Sequence, residues 1–160
     1  MSLRWTLAGS GWADCTVADD QAEVEVTASY ITAAPEELLT ATARLVLGEE
    51  RTQAQFEAEP TAFRWIFYRG GNDVWVRLLQ LPDGRRHDNA GTEIWSSWQT
   101  IDTLARAVIR CFDDVARRYD EGGYHGKWGA PFPRLELEAL RTAWRDHTAR
   151  PPLPEWCSNV

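Results

Sequence analysis

The segment from Phe63 to Leu81 constrains this chain more than any other. Phe63, Trp65 and Phe67 alternate with Arg64, Ile66 and Tyr68; Gly70-Gly71-Asn72 follows, and Val74 to Leu81 reads as a second strand. A period of two belongs to a β-strand, whose side chains leave on alternate faces, and a Gly-Asn break between two such runs marks a hairpin. Both faces of this hairpin are apolar. A strand wet on one side would alternate apolar with polar, so something covers each side of these two.

Other segments supply the cover and the remaining strands. Trp5 and Leu7 alternate with polar neighbours as far as Gly9-Ser10-Gly11; Trp12 to Val17 resumes, and Ala18-Asp19-Asp20-Gln21 turns the chain. From Glu23 to Ala28, Val24, Val26 and Ala28 share one face while Glu23, Glu25 and Thr27 share the other. Ala54, Phe56 and Ala58 mark a further strand before the turn at Glu59-Pro60-Thr61, and Glu93 to Trp98 a last one after a polar loop from Pro82 to Gly91. Pro35 suits the first turn of a helix, with Glu36 and Glu37 at its positive end, a stripe of Leu38, Ala41, Thr42, Leu45 and Val46, and Gly48 as its stop. Ile101, Leu104, Ala105, Val108, Phe112, Val115, Ala116 and Tyr119 recur at helical spacing, with Gly122-Gly123 as the stop. On its outer face, Asp102–Arg106, Asp113–Arg117 and Asp114–Arg118 stand at i,i+4 spacing. After a loop rich in Gly, Pro and aromatics, Leu137, Leu140, Ala143 and Trp144 mark a third helix. The expected fold is α+β: a mainly antiparallel sheet of about five to seven strands with two to three helices packed on it. It forms one domain over residues 1–150, followed by an extended tail over residues 151–160.

Charge divides the chain. Residues 1–50 hold nine acidic and two basic side chains, a net of −7, whereas residues 51–160 hold fifteen of each. An acidic lobe repels nucleic-acid phosphates and attracts basic surfaces. No apolar run reaches the roughly 18 residues that span a bilayer, and Met1 to Trp5 carries no apolar leader, so the expected location is cytoplasmic, without nucleic acid or membrane as partner. Cys15, Cys111 and Cys157 form no C-x-x-C pair, which argues against a zinc site and for reduced thiols. No metal or other cofactor is expected.

The candidate chemistry is sparse. His87, Asp88 and Glu93 lie around one loop without a nucleophile beside them. Asp14 and Cys15 are neighbours on a strand and face opposite ways. Glu57 and Glu59 share the wet side of an edge strand if the strand continues that far. None assembles a catalytic set, and no catalytic residue is assigned. Nine tryptophans are a different matter, because tryptophan is enriched where proteins meet. Trp95 and Trp98 stand three apart around Ser96-Ser97, so in a strand one of them faces away from the core. The expected partner-binding residues are therefore Asp14, Asp19, Asp20, Glu23 and Glu25, with Trp95 and Trp98 as apolar anchors.

Several stretches resemble, as a set, a group of small uncharacterised proteins of high-GC bacteria. They are Gly9-Ser10-Gly11-Trp12-Ala13, Ser29-Tyr30-Ile31, Phe56 to Pro60 with Phe63-Arg64-Trp65, and Tyr124 with Trp128 and Pro131-Phe132-Pro133. In size, acidity and lack of a catalytic motif the group is similar to the immunity proteins of bacterial polymorphic toxin systems. The resemblance implies a non-enzymatic inhibitor of a toxin or basic enzyme, and transfers no site residue. One alternative is a cofactor-free enzyme or small-ligand binder using a cleft in the sheet, lined by Arg64, Arg77, Tyr68 and Trp75. Another is a homo-oligomeric structural protein, such as a homodimer, that buries Trp95 and Trp98.

Overall fold

The structure, a computed structural model, describes residues 1–150. Cys157, Trp156 and the expected extended tail lie outside the described residues. Seven strands and three helices follow one another as β1 (Ser2–Gly9), β2 (Trp12–Ala18), β3 (Glu23–Ser29), α1 (Ala34–Val46), β4 (Arg51–Glu57), β5 (Ala62–Gly70), β6 (Asp73–Leu81), β7 (Thr92–Thr100), α2 (Ile101–Trp128) and α3 (Arg134–Ala149). The strands form two antiparallel sheets, β1-β2-β3 and β4-β5-β6-β7, each in sequence order. The fold is α+β.

One apolar cluster draws on every element. Its centre is Trp5, only 2% exposed. Its ring meets Phe56 of the other sheet at 5.6 Å, Phe112 of α2 at 6.0 Å and Trp128 at the end of α2 at 5.5 Å. Phe56 leads on to Trp65 at 5.9 Å, and Trp65 stacks on Phe67 at 6.3 Å. Such edge and stacked contacts add to the area these rings remove from water. Helix α2 lies along β1, where the Leu7 N–H donates to the Tyr119 hydroxyl at 3.1 Å; α1 packs on β4 and on α3. The Arg69 guanidinium donates to the terminal carbonyls of Leu45 and Val46, placing a cation where the α1 dipole is negative.

Two expectations about α2 need correction. Gly122-Gly123 does not end it. Instead Asp120 leaves the helical region (φ 52°, ψ 176°) and its Oδ1 accepts from the Gly123 N–H at 2.7 Å, as an N-cap does. A second helical stretch therefore starts at the kink and runs to Trp128, ending in left-handed Gly129. The glycines that read as a stop lie in the first turn of this continuation. Of the three ion pairs read along its outer face, only Asp102–Arg106 forms, at 3.5 Å. Asp113 bonds instead to Arg141 of α3 at 2.6 Å, and Asp114 turns to Arg117.

The tip of the β1–β2 hairpin is tied to the same helix. Gly11 (φ 81°) donates its N–H to the Lys127 carbonyl at 3.0 Å, and the Tyr30 N–H donates to the Gly11 carbonyl at 2.8 Å. A Cβ on Gly11 would fall 2.2 Å from the Tyr30 ring, so only glycine fits this crossing.

At the junction of α1 and α3 a half-buried carboxyl sits beside the core. Burial, with Glu136 and Glu37 adding to it, pushes the Glu36 carboxyl above the usual glutamate range. Its Oε2 has no hydrogen-bond partner among the described residues, and neither has the Tyr124 hydroxyl that feels its charge. A raised carboxyl holds its proton more tightly in the folded chain than in the unfolded one, so stability falls as pH rises through that window. Glu36→Gln removes the penalty. Its melting temperature is expected to exceed the parent's at pH 7, with the gap closing on acidification to the ordinary glutamate range; an unchanged gap across the titration would sink this account. Cutting Phe112 to Ala is expected to cost roughly 3–5 kcal/mol in denaturant melts, since the ring is fully buried.

Candidate functional site

The outer face of the four-stranded sheet is built in two halves. Register places Arg51, Tyr68, Trp75 and Trp98 in one row across it; Gln53, Ile66, Arg77 and Ser96 form the next, and Gln55, Arg64 and Leu79 the third. The hairpin strands are thus apolar on both faces because the half that begins at Ile66 is covered. The cover is the segment from Pro82 to Gly91: Gly91 lies against Leu79 and Leu81, and Gly84 against Gln55 and Glu57.

Arg64 pins that segment. Its side chain, 7% exposed as a residue, gives Nε and one Nη2 bond to Gln55 Oε1 (2.9 and 2.6 Å) and a second Nη2 bond to the Gly84 carbonyl (3.2 Å). Nη1 donates to the Arg86 carbonyl (2.9 Å) and to Asp88 Oδ1 (2.7 Å). A guanidinium has five N–H donors, and all five are engaged. Arg64 therefore fastens a loop: it lines a groove of about 640 Å³ with Gln53, Arg85, Arg86, His87, Asp88 and Asn89, but has no donor left for a ligand there. Asp88 also holds Arg51 at 3.2 Å, so the carboxylate beside His87 is committed twice.

The other half of the face is open. Trp98 is 69% exposed and stacks on half-buried Trp75, centroids 6.0 Å apart and planes 13° apart. Tyr68 continues the row at 5.7 Å from Trp75. Beside the stack lies a groove of about 390 Å³ lined by Asp19, Asp20, Gln21, Trp75, Ser96, Ser97, Trp98 and Gln99. The β2–β3 turn, from one sheet, here meets β7, from the other.

Hydrogen bonds fix that meeting. Gln99 donates to Ser97 Oγ at 2.7 Å, and Ser97 donates to Asp19 Oδ2 at 2.6 Å. Asp19 Oδ1 accepts from the N–H groups of Gln21 and Ala22, both at 2.9 Å. The Ser97 hydroxyl above all, then these two N–H groups, hold the Asp19 carboxyl below the usual aspartate range. Asp19 is a fixed anion at neutral pH whose oxygens the turn already uses. Its neighbour Asp20 is exposed and makes no hydrogen bond or ion pair among the described residues.

Of the seven residues expected to bind a partner, three come together: Asp19, Asp20 and Trp98. Trp95 does not belong with them. It is 4% exposed on the core side of β7, and its Nε1 donates to the Ala22 carbonyl at 3.3 Å, so it supports the acidic turn from beneath. The strand period allowed one outward tryptophan of the two, and the core took the one facing Leu78 and Trp65 across the register. Asp14, Glu23 and Glu25 also lie apart from the groove. Register sets them on the outer face of β1-β2-β3, where Asp14 accepts from Thr27 at 3.4 Å and Glu25 from Thr16 at 3.3 Å. Gln99 enters the groove without having been expected there, and Trp75, expected as the lining of a cleft in the sheet, stands in it too. For Trp75 the signal was present, since a tight Gly71-Asn72 turn sets it opposite Tyr68 on the same face as Ile66.

The remaining candidates offer less. Burial raises the Cys15 thiol well above its usual value and pushes Cys111 up to about 12, so neither is a thiolate near neutrality. Glu57 and Glu59 line a groove with Asp83 and Arg85, but Glu57 Oε1 already accepts from Gln55 at 2.7 Å. No family model, curated protein or solved structure matches the chain. Among the described residues no helix is long and apolar enough to cross a membrane.

Arg64→Ala tests the division of the face. It strips the Arg86 carbonyl of its donor, leaves the Gly84 carbonyl with Gln55 Nε2 alone and Asp88 with Arg51 alone, at an expected cost of about 2–3 kcal/mol. Limited proteolysis at Arg85–Arg86 is expected to quicken under conditions where the rest of the chain stays folded. Unchanged stability and cleavage would show that the loop is held by something else.

Proposed function

We propose that this protein is a non-enzymatic protein-binding domain, an inhibitor of the immunity kind that covers a basic surface of its partner. The observation that carries the reading is the Trp75–Trp98 stack, whose outer ring stands 69% exposed in a groove shared with Asp19 and Asp20. A single exposed tryptophan is ordinary, but one held flat on a second indole is ordered in advance, so a partner loses little freedom in docking on it. The fixed acidic turn beside it adds charge of one sign, in the third of the chain that holds the whole net charge of −7. Complementary charge speeds encounter with a basic surface, and a buried aromatic slows departure from it. Several side chains that could carry chemistry are committed elsewhere: Arg64 and Asp88 to the loop, Arg77 to Glu93 at 2.6 Å, and both described thiols to the core.

The test is kinetic, with the partner captured from the native host. Trp98→Ala is expected to speed dissociation about 30-fold, equivalent to about 2 kcal/mol, with little change in association. Asp20→Lys is expected to slow association and flatten its salt dependence. Leu135→Ala, at an exposed site on α3, serves as the neutral control. If Trp98→Ala and Asp20→Lys leave both rates unaltered, this groove is not the contact.

A further inference from the structure

The row of aromatics on the open face is also a row of cation sites, and one of them holds no guanidinium of the described residues. Tyr68 carries Arg51, whose Cζ lies 5.7 Å from the ring centroid, and Arg51 is paired with Asp88 at 3.2 Å. Trp75 carries Arg77, 5.0 Å from its centroid, and Arg77 is paired with Glu93 at 2.6 Å. Each set joins an aromatic face, a guanidinium and a carboxylate. At the next place in the row stands Trp98, sharing its groove with the carboxylate of Asp20. Aromatic and carboxylate are both present there, but no guanidinium of the described residues lies over the ring, and residues 151–160 contain neither Arg nor Lys.

We infer that the third guanidinium comes from the partner: an arginine side chain that stacks on the outer face of Trp98 and pairs with Asp20. This rests on the protein-binding reading and names what the groove receives. One face of the Trp98 indole is taken by Trp75, so the occupant meets the other, and a flat cation fits a flat ring. Arginine fits better than lysine. Its planar, weakly hydrated guanidinium stacks while its N–H edge remains free for a carboxylate and for Ser96 or Gln99, whereas an ammonium is a compact point charge that keeps its water. Asp19 contributes a fixed negative charge without spending an oxygen on the visitor, since its oxygens hold the turn. The carboxylate of Asp20, which makes no bond among the described residues, is left to make this one.

The experiment uses the full chain, labelled with nitrogen-15, and follows the tryptophan indole N–H signals during titration with acetyl-Gly-Arg-Gly-amide. The signal missing from Trp98→Ala identifies Trp98, and the undisturbed spread of the other indole signals verifies that the variant is folded. The arginine peptide is expected to shift the Trp98 and Trp75 signals. The same peptide with citrulline, equal in shape but uncharged, is expected to bind at least about tenfold more weakly, and the lysine peptide about two- to fivefold more weakly. In Trp98→Ala the shift at Trp75 is expected to vanish, and Asp20→Asn is expected to weaken binding about threefold. Equal binding of the citrulline or lysine peptide, or a Trp75 shift that survives Trp98→Ala, overturns the assignment. Failure of the arginine peptide while the partner complex still depends on Trp98 overturns the occupant and spares the surface. A partner complex indifferent to Trp98 overturns both.

Discussion

Everything in this fold is arranged around the indole of Trp5. Two separate sheets have no hydrogen-bonded seam to hold them together, so side chains must join them, and Trp5 of one sheet set edge-on to Phe56 of the other is the central join. The same ring receives Phe112 from one part of α2 and Trp128 from the part beyond its kink. Three elements, one of them through both of its stretches, thus share one residue. Shifting β1 by one residue would turn Trp5 outward and part the sheets, so the hydrophobic contact also sets the register. The Trp5 Nε1, buried without a partner among the described residues, marks the cost: size and shape at this point outweigh one unmade hydrogen bond.

That joining sets the candidate surface as well. Because the sheets are held by their inner faces, the tip of one hairpin arrives beside the last strand of the other sheet, and Asp19 and Asp20 come to lie next to Trp98. Nothing local brings these residues together. Ser97, Gln99 and Trp95 then secure the meeting from β7, through bonds to Asp19 and Ala22.

The architecture was largely legible in the sequence because it depends on local periods. The alternation at Phe63 to Tyr68, the stripe at Leu104 to Val115 and the Pro35 and Gly48 boundaries each follow from neighbours a few residues apart. The site was legible only in part. Asp19, Asp20 and Trp98 could be named because an acidic turn and an odd tryptophan spacing are local signals. Choosing Trp98 over Trp95 needed the register of β7, which the Pro82–Gly91 segment leaves open and the bulge between Leu78 and Leu79 shifts. Charge was the poorest guide. Asp113 sits at ideal spacing from Arg117 yet reaches across to Arg141, because a neighbouring helix competes for it. Asp14, Glu23 and Glu25 are close in sequence to Asp19 but belong to a different face. The break after Tyr119 was visible, but its agent was Asp120 capping a new helical start, and two glycines drew attention away from it.

The pinning of the Pro82–Gly91 segment by one guanidinium bears on how such a chain can change over generations. Gly84 is pressed so closely on Glu57 that a Cβ there would fall 1.9 Å from its carboxylate oxygen, while Arg85, Arg86 and His87 stand exposed between the fixed carbonyls and Asp88. Exchange of the side chains at Arg85, Arg86 and His87 is therefore tolerable, because Arg64 holds the backbone carbonyl of Arg86 and not its side chain, whereas an insertion among them would pull that carbonyl or Asp88 away from the guanidinium. Diversity can accumulate on that rim while Arg64, out of sight below, keeps its backbone in the same place.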